Sequence, residues 1–282
     1  MVLLICGNKK SDKMKESVQA AVDRLTSQGF TCIGDDTPLY SGIRGLSLYP
    51  REECDRLCDG IVSVGGDGTM LRHAHRAIRI DKTIFGINAG GLGYLCAFEI
   101  GKLEKITAES VAKLQISRRS LLEVVFSTEE GEKLMQAVND TVVGKGTLER
   151  AIGLSVDTKE RRIGSYKCDG IIVSTPTGST AYNLSAGGPI CDPSLDLMVL
   201  TPVCAHSMFR ECFVFGGDTE LRIRASDSSG QDIYVMVDSY GPYKLQAGTE
   251  VRVRRSGSAL KLLLSDERDF YGILRHKMGE NN

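Results

Sequence analysis

The sequence lacks the features that mark membrane, secreted and nucleic-acid-binding proteins. No apolar run approaches the roughly 18 residues that cross a bilayer. Met1–Cys6 has neither the preceding basic residues nor the following cleavage site of a secretory signal, and we expect it to form a buried strand. Neither sign of charge is in excess, because 35 basic and 36 acidic residues give a net charge of −1. Binding to a phosphate backbone usually needs a basic excess. We therefore expect a cytoplasmic protein with neither a membrane nor a nucleic acid as its main partner.

Zinc-type pairs of cysteine and histidine are also missing. The nine cysteines are an odd number and, without an export signal, are best interpreted as reduced thiols. Cys54 and Cys58 are four residues apart, which predicts neighbours on one helical face, and no second pair has the spacing of a metal site. Cys168 and Cys204 lead to a separate hypothesis, that mild oxidation lowers the activity of the protein.

Two secondary-structure patterns divide the 282 residues. In residues 1–116 strands alternate with helices, which predicts a parallel, three-layer α/β domain of the Rossmann-like kind. In residues 117–265 short strands separated by turn residues predict an antiparallel β domain. The predicted strands of the first part are 2–6, 61–64 and 83–87, and its predicted helices are 11–28, 70–80 and 101–115. Later strands are predicted at 121–127, 134–143, 152–157, 171–174, 220–225, 233–237, 250–254 and 260–264, and a last helix at 270–278.

The segment from Gly65 to Thr69 joins a predicted strand to a predicted helix. Backbone N–H groups at the start of a helix bind phosphate, and glycine lets the phosphate approach the backbone. Gly65, Gly66, Gly68 and Thr69 are therefore predicted to bind phosphate, although the loop matches neither the Walker A motif nor the dinucleotide fingerprint. Asp67 would repel phosphate unless a metal or a transferable proton compensates, so it is predicted to act as a general base. The alternative is that Asp67 only caps the helix.

A second polar segment runs from Asp169 to Pro189 and carries six serine and threonine hydroxyls between Ser174 and Ser185. Hydroxyls both donate and accept hydrogen bonds, which suits recognition of ribose and adenine. Tyr182 is positioned to stack on a base or to form one wall of its pocket. The alternative is a serine- and threonine-rich turn that caps the next helix, which would account for only one or two of the hydroxyls.

The dipeptide Asn139-Asp140 is a third candidate. An asparagine amide can form paired hydrogen bonds with adenine, and a neighbouring carboxylate can hold ribose hydroxyls. Asn-Asp is also a common turn dipeptide, and the residues alone favour that simpler interpretation.

Taken together and in this order, these segments resemble the NAD kinase family. The resemblance covers Gly65–Thr69, Gly86–Leu95, Asn139-Asp140, Asp169–Pro189 and Thr201–Ser207. The Gly-Gly-Asp-Gly motif is shared with lipid kinases and phosphofructokinases, whereas the Ser174–Tyr182 stretch is more specific. The resemblance implies an α/β domain of residues 1–116 joined by the C-terminal segment 266–282, and an NAD-binding β-sandwich domain of residues 117–265. It also implies a homodimer or homotetramer.

The resemblance implies the reaction as well: ATP, or alternatively polyphosphate, phosphorylates the 2′-hydroxyl of the adenosine ribose of NAD to give NADP. Mg²⁺ or another divalent metal would assist, and Asp67 would be the base. Asp140 stands where the family usually has Glu, Tyr240 replaces a polar residue, and Ala205 replaces a usual Pro. The residues implied to contact NAD are Asp67, Gly68, Arg72, Asn139, Asp140, Arg150, Lys167, Asp169, Thr177, Thr180, Ala181, Tyr182, Asn183, Leu184 and Ser185.

Two alternatives stay open at this point. The first is a kinase of the same superfamily that acts on a lipid, although the near-neutral charge gives no sign of a membrane-facing surface. The second is a nucleotide-binding sensor without catalysis, against which the presence of Asp67 beside a complete set of hydroxyls argues.

Overall fold

The computed structural model describes residues 1–8, 12–91, 93–146, 150–206, 210–225, 232–265 and 269–279. Leu92 and Ser207, which belong to the family-like segments, lie outside these residues. The chain divides into a first unit, Met1–Arg118 with Leu260–Asn282, and a second unit, Arg119–Ala259. The boundaries expected from the sequence were 116/117 and 265/266. The observed ones fall inside two long strands, which a pattern of short segments does not reveal.

The first unit opens with alternating strands and helices. Its elements are β1 Val2–Gly7, α1 Asp12–Ser27, β2 Thr31–Asp35, β3 Leu46–Tyr49, α2 Arg51–Leu57, β4 Gly60–Val64, α3 Asp67–Arg79, β5 Thr83–Asn88, β6 Phe98–Glu99, a 3-10 helix Ile100–Lys105, and α4 Ala108–Ala112. The strand order is β3-β2-β1-β4-β5, all parallel, with β6 beside β5. Strands β1, β4 and β5 are almost entirely buried, as expected for a parallel sheet covered on both faces.

The predicted helix 101–115 is wrong. The structure has the 3-10 helix, a break, and then the short helix α4. Thr107 starts α4 with a capping box, in which its side chain accepts from the Ser110 N–H at 2.9 Å and its own N–H donates to the Ser110 hydroxyl at 2.8 Å. Ser, Thr and Asn side chains that bond locally in this way end one helical path and begin another.

The second unit consists of antiparallel strands in two sheets. The elements are β7 Gln115–Thr128, β8 Gly131–Ala137, β9 Asp140–Lys145, β10 Ile152–Thr158, β11 Arg162–Cys168, β12 Gly170–Ser174, a 3-10 helix Thr177–Thr180, α5 Tyr182–Ser185, β13 Leu197–Val203, β14 Phe213–Gly216, β15 Glu220–Ala225, β16 Ile233–Val237, β17 Tyr240–Lys244 and β18 Glu250–Leu264. One sheet has the order β14-β13-β12-β9-β16-β17, and the other includes β11-β10-β15-β18. A single core contains Val143 and Ile171 from the first sheet and Leu154 and Val253 from the second, as in a β-sandwich.

Two features of these strands differ from the prediction. The predicted strand 134–143 is two strands, β8 and β9, which are separated at Val138 and Asn139. The predicted strands 250–254 and 260–264 are one continuous strand, β18. The α/β class of the first unit and the antiparallel β class of the second confirm the predicted fold class.

The C-terminal helix α6, Phe270–Lys277, belongs to the first unit. The Asp269 side chain caps it by accepting from the N–H groups of Tyr271 at 3.1 Å and Gly272 at 2.9 Å. Ile273 is buried and fixes the helix to the unit. Within the described residues, no helix is both long and apolar enough to cross a bilayer.

Candidate active site

The glycine loop of the first unit connects β4 to α3. Gly65 has φ +150°, and a side chain there would overlap Thr69, so the turn requires glycine at this position. Helix α3 begins at Asp67, three residues earlier than predicted, so Asp67 lies in the first helical turn. A Cβ at Gly66 or Gly68 would meet no described atom within 4 Å outside the helix's own backbone. The backbone of this loop is therefore open on one side at the start of a 13-residue helix.

The carboxylate of Asp67 is held by a second loop. The Tyr94 N–H donates to its Oδ2 at 2.9 Å, and the Leu95 N–H donates to its Oδ1 at 3.2 Å. A side chain at Gly93 would overlap the same carboxylate. The bonds of Asp67 thus reach another segment rather than its own helix end, which is not the geometry of a simple cap. Two of the family-like segments, Gly65–Thr69 and Gly86–Leu95, meet at this carboxylate.

Helix α3 is braced from behind by buried polar side chains. The guanidinium of Arg76 bonds to Asp35 at 2.7 and 2.8 Å and to Asp55 at 2.6 Å. A ring nitrogen of His73 is 2.8 Å from the hydroxyl of Ser63 on β4. Burial, helped by nearby arginine charges, lowers the pKa of His73 to about 4. These contacts fix the direction in which the first turn of α3 points.

In the second unit, the Asn139-Asp140 dipeptide lies against the hydroxyl-rich segment. Asp140 pairs with Ser174 where β9 meets β12. The Thr175 N–H donates to the Asn139 carbonyl at 2.8 Å, and its hydroxyl donates to the Val138 carbonyl at 2.6 Å. A side chain at Gly178 would overlap the Asn139 backbone, so glycine permits this close approach. The fold therefore brings together two segments that the sequence only suggested were related.

Asp238 holds the turn at Asn139 from the other side, and the sequence did not identify it as a site residue. Its carboxylate accepts from the N–H groups of Val138 at 2.8 Å, Asn139 at 2.8 Å and Asp140 at 3.2 Å. Its backbone φ is +51°, uncommon outside glycine. Burial and, second, the charge of Asp238 raise the pKa of Asp140 to about 7. The sequence offered only one sign of this role, a single Asp between β16 and β17, two residues before Tyr240.

Four of the six serine and threonine hydroxyls in the polar segment form hydrogen bonds within the protein. Ser174 donates to the Thr175 carbonyl at 2.8 Å, and Ser179 donates to the Pro176 carbonyl at 2.7 Å. Thr175 is bonded to Val138 as described above. The Thr180 hydroxyl donates to the Thr177 carbonyl at 3.4 Å. The turn interpretation therefore accounts for four of the six hydroxyls, more than the sequence suggested. The buried Oγ1 of Thr177 is different, because it has no hydrogen-bond partner among the described residues. Such an atom is most simply explained as a contact for a ligand or water.

The residues after Thr177 differ in exposure. Asn183 is buried, and its amide bonds to the carbonyls of Ser179 and Pro189, both at 3.0 Å, and to the Thr201 hydroxyl at 2.6 Å. Its side chain therefore stabilises the turn from inside, and a contact between this residue and NAD stays a prediction. Tyr182 and Ser185 are exposed, whereas Thr180, Ala181 and Leu184 are half-buried.

Asp169 lies at the opposite end of the β9–β12 pair from Asp140. Lys145 Nζ is 2.6 Å from Asp169 Oδ1, and Lys145 is the more buried of the two. Five residue steps along the strand separate Asp169 from Ser174, the partner of Asp140, or about 17 Å at the usual rise per residue. Lys145 is a further residue that the sequence did not single out. The predicted basic contacts Arg72, Arg150 and Lys167 are exposed.

No group of three or more His, Cys, Asp or Glu residues that could hold a metal occurs in the described part of the chain. None of the nine cysteines forms a disulfide. Burial raises the pKa of the Cys168 thiol to about 11, which disfavours the reactive thiolate. The oxidation hypothesis therefore concerns the exposed Cys204 more than Cys168.

These features define a class: kinases with a glycine-rich phosphate loop on an α/β unit and a separate antiparallel β unit. Two family models agree with that class. The ATP-NAD kinase N-terminal domain model matches residues 7–116, and the ATP-NAD kinase C-terminal domain model matches residues 138–265. An NAD kinase of Symbiobacterium thermophilum is 38% identical over 226 residues, which are 78% of each protein. The chain belongs to the NAD kinase family, whose members are phosphotransferases with an alcohol group as acceptor.

Two solved structures are similar in fold. A yeast NADH kinase complexed with NADH has a TM-score of 0.89 at 22% identity, covering 100% of this chain and 88% of that chain. An NAD kinase from Archaeoglobus fulgidus in complex with ATP has a TM-score of 0.76 at 23% identity, covering 98% and 99%. At these identities the two structures support the fold assignment alone.

Proposed function

We propose that this chain transfers the terminal phosphate of ATP to the 2′-hydroxyl of the adenosine ribose of NAD, with Asp67 as the general base. The observation that carries the proposal is the position of Asp67. Its carboxylate lies in the first turn of α3, in the open glycine loop, and two backbone N–H groups fix its direction. A helix start with bare backbone is suited to phosphate, and a carboxylate beside it is suited to taking a proton from the attacking hydroxyl.

The proposed step is an in-line displacement. Asp67 accepts the proton of the ribose hydroxyl while the hydroxyl oxygen forms a bond to the terminal phosphorus. The bond between that phosphorus and the bridging oxygen of the donor breaks, and ADP leaves with its electron pair. Gly66 and Gly68 would supply backbone N–H groups to the phosphates, where positioning and fixed dipoles provide most of the acceleration. The N–H groups of Gly65 and Thr69 already donate to the carbonyls of Ile87 at 2.9 Å and Gly66 at 3.0 Å, so these two residues would shape the loop around the phosphates instead.

A divalent cation would be held at this site mainly by the phosphates of the donor. Mg²⁺ in kinases is usually held by substrate phosphates and one or two carboxylates rather than by a cage of protein ligands. Asp67 is assigned to the proton transfer, so the donor phosphates would supply most of the ligands of the metal. When bound, the metal would neutralise charge on the phosphates. Inorganic polyphosphate is the alternative donor, since the loop would contact phosphates rather than adenosine.

The NAD-binding residues are proposed from the second unit and from α3. Thr177 supports this proposal, because its buried hydroxyl has no partner among the described residues. Asn139 would bind adenine, Asp140 would bind ribose, and Asp169 would lie near the nicotinamide end. NADH and ATP, the ligands of the two similar structures, are consistent with a dinucleotide acceptor and a nucleotide donor. The remaining proposed contacts are Gly68, Arg72, Arg150, Lys167, Thr180, Ala181, Tyr182, Asn183, Leu184 and Ser185.

The substitution Asp67→Asn tests the role of the base, because it keeps the shape of the side chain and removes its basicity. We expect turnover to be nearly abolished while NAD binding stays within roughly tenfold. NADP formation and calorimetric NAD binding are the two measurements. Asp36→Asn, an exposed carboxylate of the same unit, is the matched control and should behave as the native protein. A fully active Asp67→Asn variant would refute the assignment.

A screen of donors and acceptors separates the remaining possibilities. NAD, NADH and diacylglycerol are offered as acceptors, with ATP or polyphosphate as donor and Mg²⁺ present. Phosphorylation of NAD is expected, whereas phosphorylation of the lipid would favour the related lipid kinases. Absence of any product would favour a sensor. The homodimer or homotetramer implied by the family is proposed as well, and light scattering of the purified protein measures it.

A further inference from the structure

The C-terminal helix α6 is fixed beside the loop that holds Asp67. Its first residue, Phe270, packs its ring 5.8 Å from the ring of Tyr94, centre to centre. The buried Ile273 fixes the same helix at a further point. Tyr94 is also the residue whose N–H holds the Asp67 carboxylate. A helix distant in sequence is thereby placed next to the glycine loop within the first unit.

The last residue of α6, Lys277, contacts both parts of this arrangement. Its ammonium group is 3.8 Å from Asp67 Oδ2 and 4.2 Å from the centre of the Tyr94 ring. A cation over an aromatic face is held by the quadrupole of the ring. Lys277 is therefore restrained by the ring and directed at the carboxylate by charge, although it extends from the end of a helix.

This position places a positive charge beside the carboxylate proposed as the base. A carboxylate in a phosphate-binding loop repels the phosphate groups that must approach it, and a neighbouring cation reduces that repulsion. The side chains of Lys277 and Asp67 are 36% and 32% exposed, so water screens the pair only in part. The two N–H groups and the ammonium together leave the carboxylate little freedom to turn away from the loop.

We infer that Lys277 is a positioning residue of the phosphoryl-transfer site, which holds Asp67 in its reactive orientation and offsets its charge beside the donor phosphates. The inference rests on the proposed role of Asp67. The C-terminal helix then contributes to the reaction as well as to the fold of the first unit. No motif of the glycine loop predicts this, because 210 residues separate Asp67 from Lys277.

Three variants test the inference. Lys277→Met keeps the aliphatic length and removes the charge, Lys277→Arg restores the charge, and Arg275→Met removes an equal charge from an exposed position on the same helix. We expect Lys277→Met to lower kcat roughly 5- to 10-fold, the range for a partly screened charge contact at a reaction centre. The KM for NAD should stay within about twofold, since the contact serves the reacting groups rather than dinucleotide binding. Lys277→Arg should recover most of kcat, and Arg275→Met should match the native protein.

The melting temperature separates positioning from a merely structural role. If Lys277 only docks α6, Lys277→Met should melt lower, and kcat should follow the folded fraction. Unchanged kcat in Lys277→Met, or an equal loss in Arg275→Met, would overturn the inference. The result of this test can be distinguished from the result of the Asp67→Asn test. An inactive Asp67→Asn with a native-like Lys277→Met refutes only the inference, whereas an active Asp67→Asn refutes the proposed base.

Discussion

The ribose contact proposed for Asp140, together with its raised pKa, predicts that the affinity for NAD depends on pH near neutrality. Burial and the Asp238 charge raise the pKa of Asp140 to about 7. A ribose hydroxyl donates more strongly to an ionised carboxylate than to a protonated one. NAD should therefore bind the ionised form more tightly, and the observed affinity should scale with the ionised fraction.

The size of the effect follows from that pKa. Asp140 is about one tenth ionised at pH 6 and about nine tenths ionised at pH 8, so Kd for NAD should be about tenfold higher at pH 6. At pH 7 binding should also release about half a proton per molecule, because it converts the protonated fraction to the ionised form. Isothermal titration calorimetry without donor measures both quantities, the proton count coming from buffers of different ionisation enthalpy.

The substitution Asp140→Asn should remove this pH dependence, because the amide does not titrate. Asp157→Asn changes a carboxylate of the same unit that pairs with Arg224, and it should leave the pH dependence in place. The reasoning would be refuted if native Kd varied less than about twofold between pH 6 and pH 8. It would also be refuted if Asp140→Asn kept the tenfold change.

Two further predictions concern the first unit. Gly93→Ala should push the Asp67 carboxylate out of place and lower kcat by about 100-fold, the cost of a misplacement near 1 Å. Gly91→Ala, where a Cβ would meet no described atom within 4 Å, is its control and should lower kcat far less in the same NADP assay. In the folded protein, burial lowers the pKa of His73 from 6.5 to about 4. The unfolded chain therefore binds a proton at this histidine before the folded protein does, as pH falls below 6.5. The unfolding free energy should therefore drop by about 2 kcal/mol between pH 7 and pH 5, and denaturant titrations of His73→Gln should show a drop smaller by that amount.

The sequence predicted the two classes of fold because each depends on patterns that are local in the chain. The buried run Ile61–Val64 and the glycine loop after it indicate a parallel strand and a helix start from adjacent residues. Residues 101–115 were assigned to one helix because the pattern of apolar residues continues across the new cap at Thr107. A capping bond of this kind competes with hydrophobic periodicity and is not visible in it.

The predicted site was least complete where contacts join distant residues. Asp238 and Asn139 are 99 positions apart, and their hydrogen bond depends on the pairing of β9 with β16. The hydroxyl of Ser179 had the right chemistry for a ligand, yet its bonds to Pro176 and Cys191 are internal. Residue type shows what a side chain can bond to, whereas the topology decides whether that capacity is already used.

The turn at Val138–Asp140 is held entirely through its main chain. Asp238 accepts from three backbone N–H groups there, and Thr175 bonds to the carbonyls of Val138 and Asn139. The hydrogen bonds that set the path of this turn therefore do not involve the side chains at 139 and 140. An exchange of Asp for Glu at 140 would lengthen the reach of the contact by one methylene and keep its carboxylate. The contacts proposed for Asn139 and Asp140 could therefore be redesigned at this turn with the hydrogen bonds of its main chain left intact.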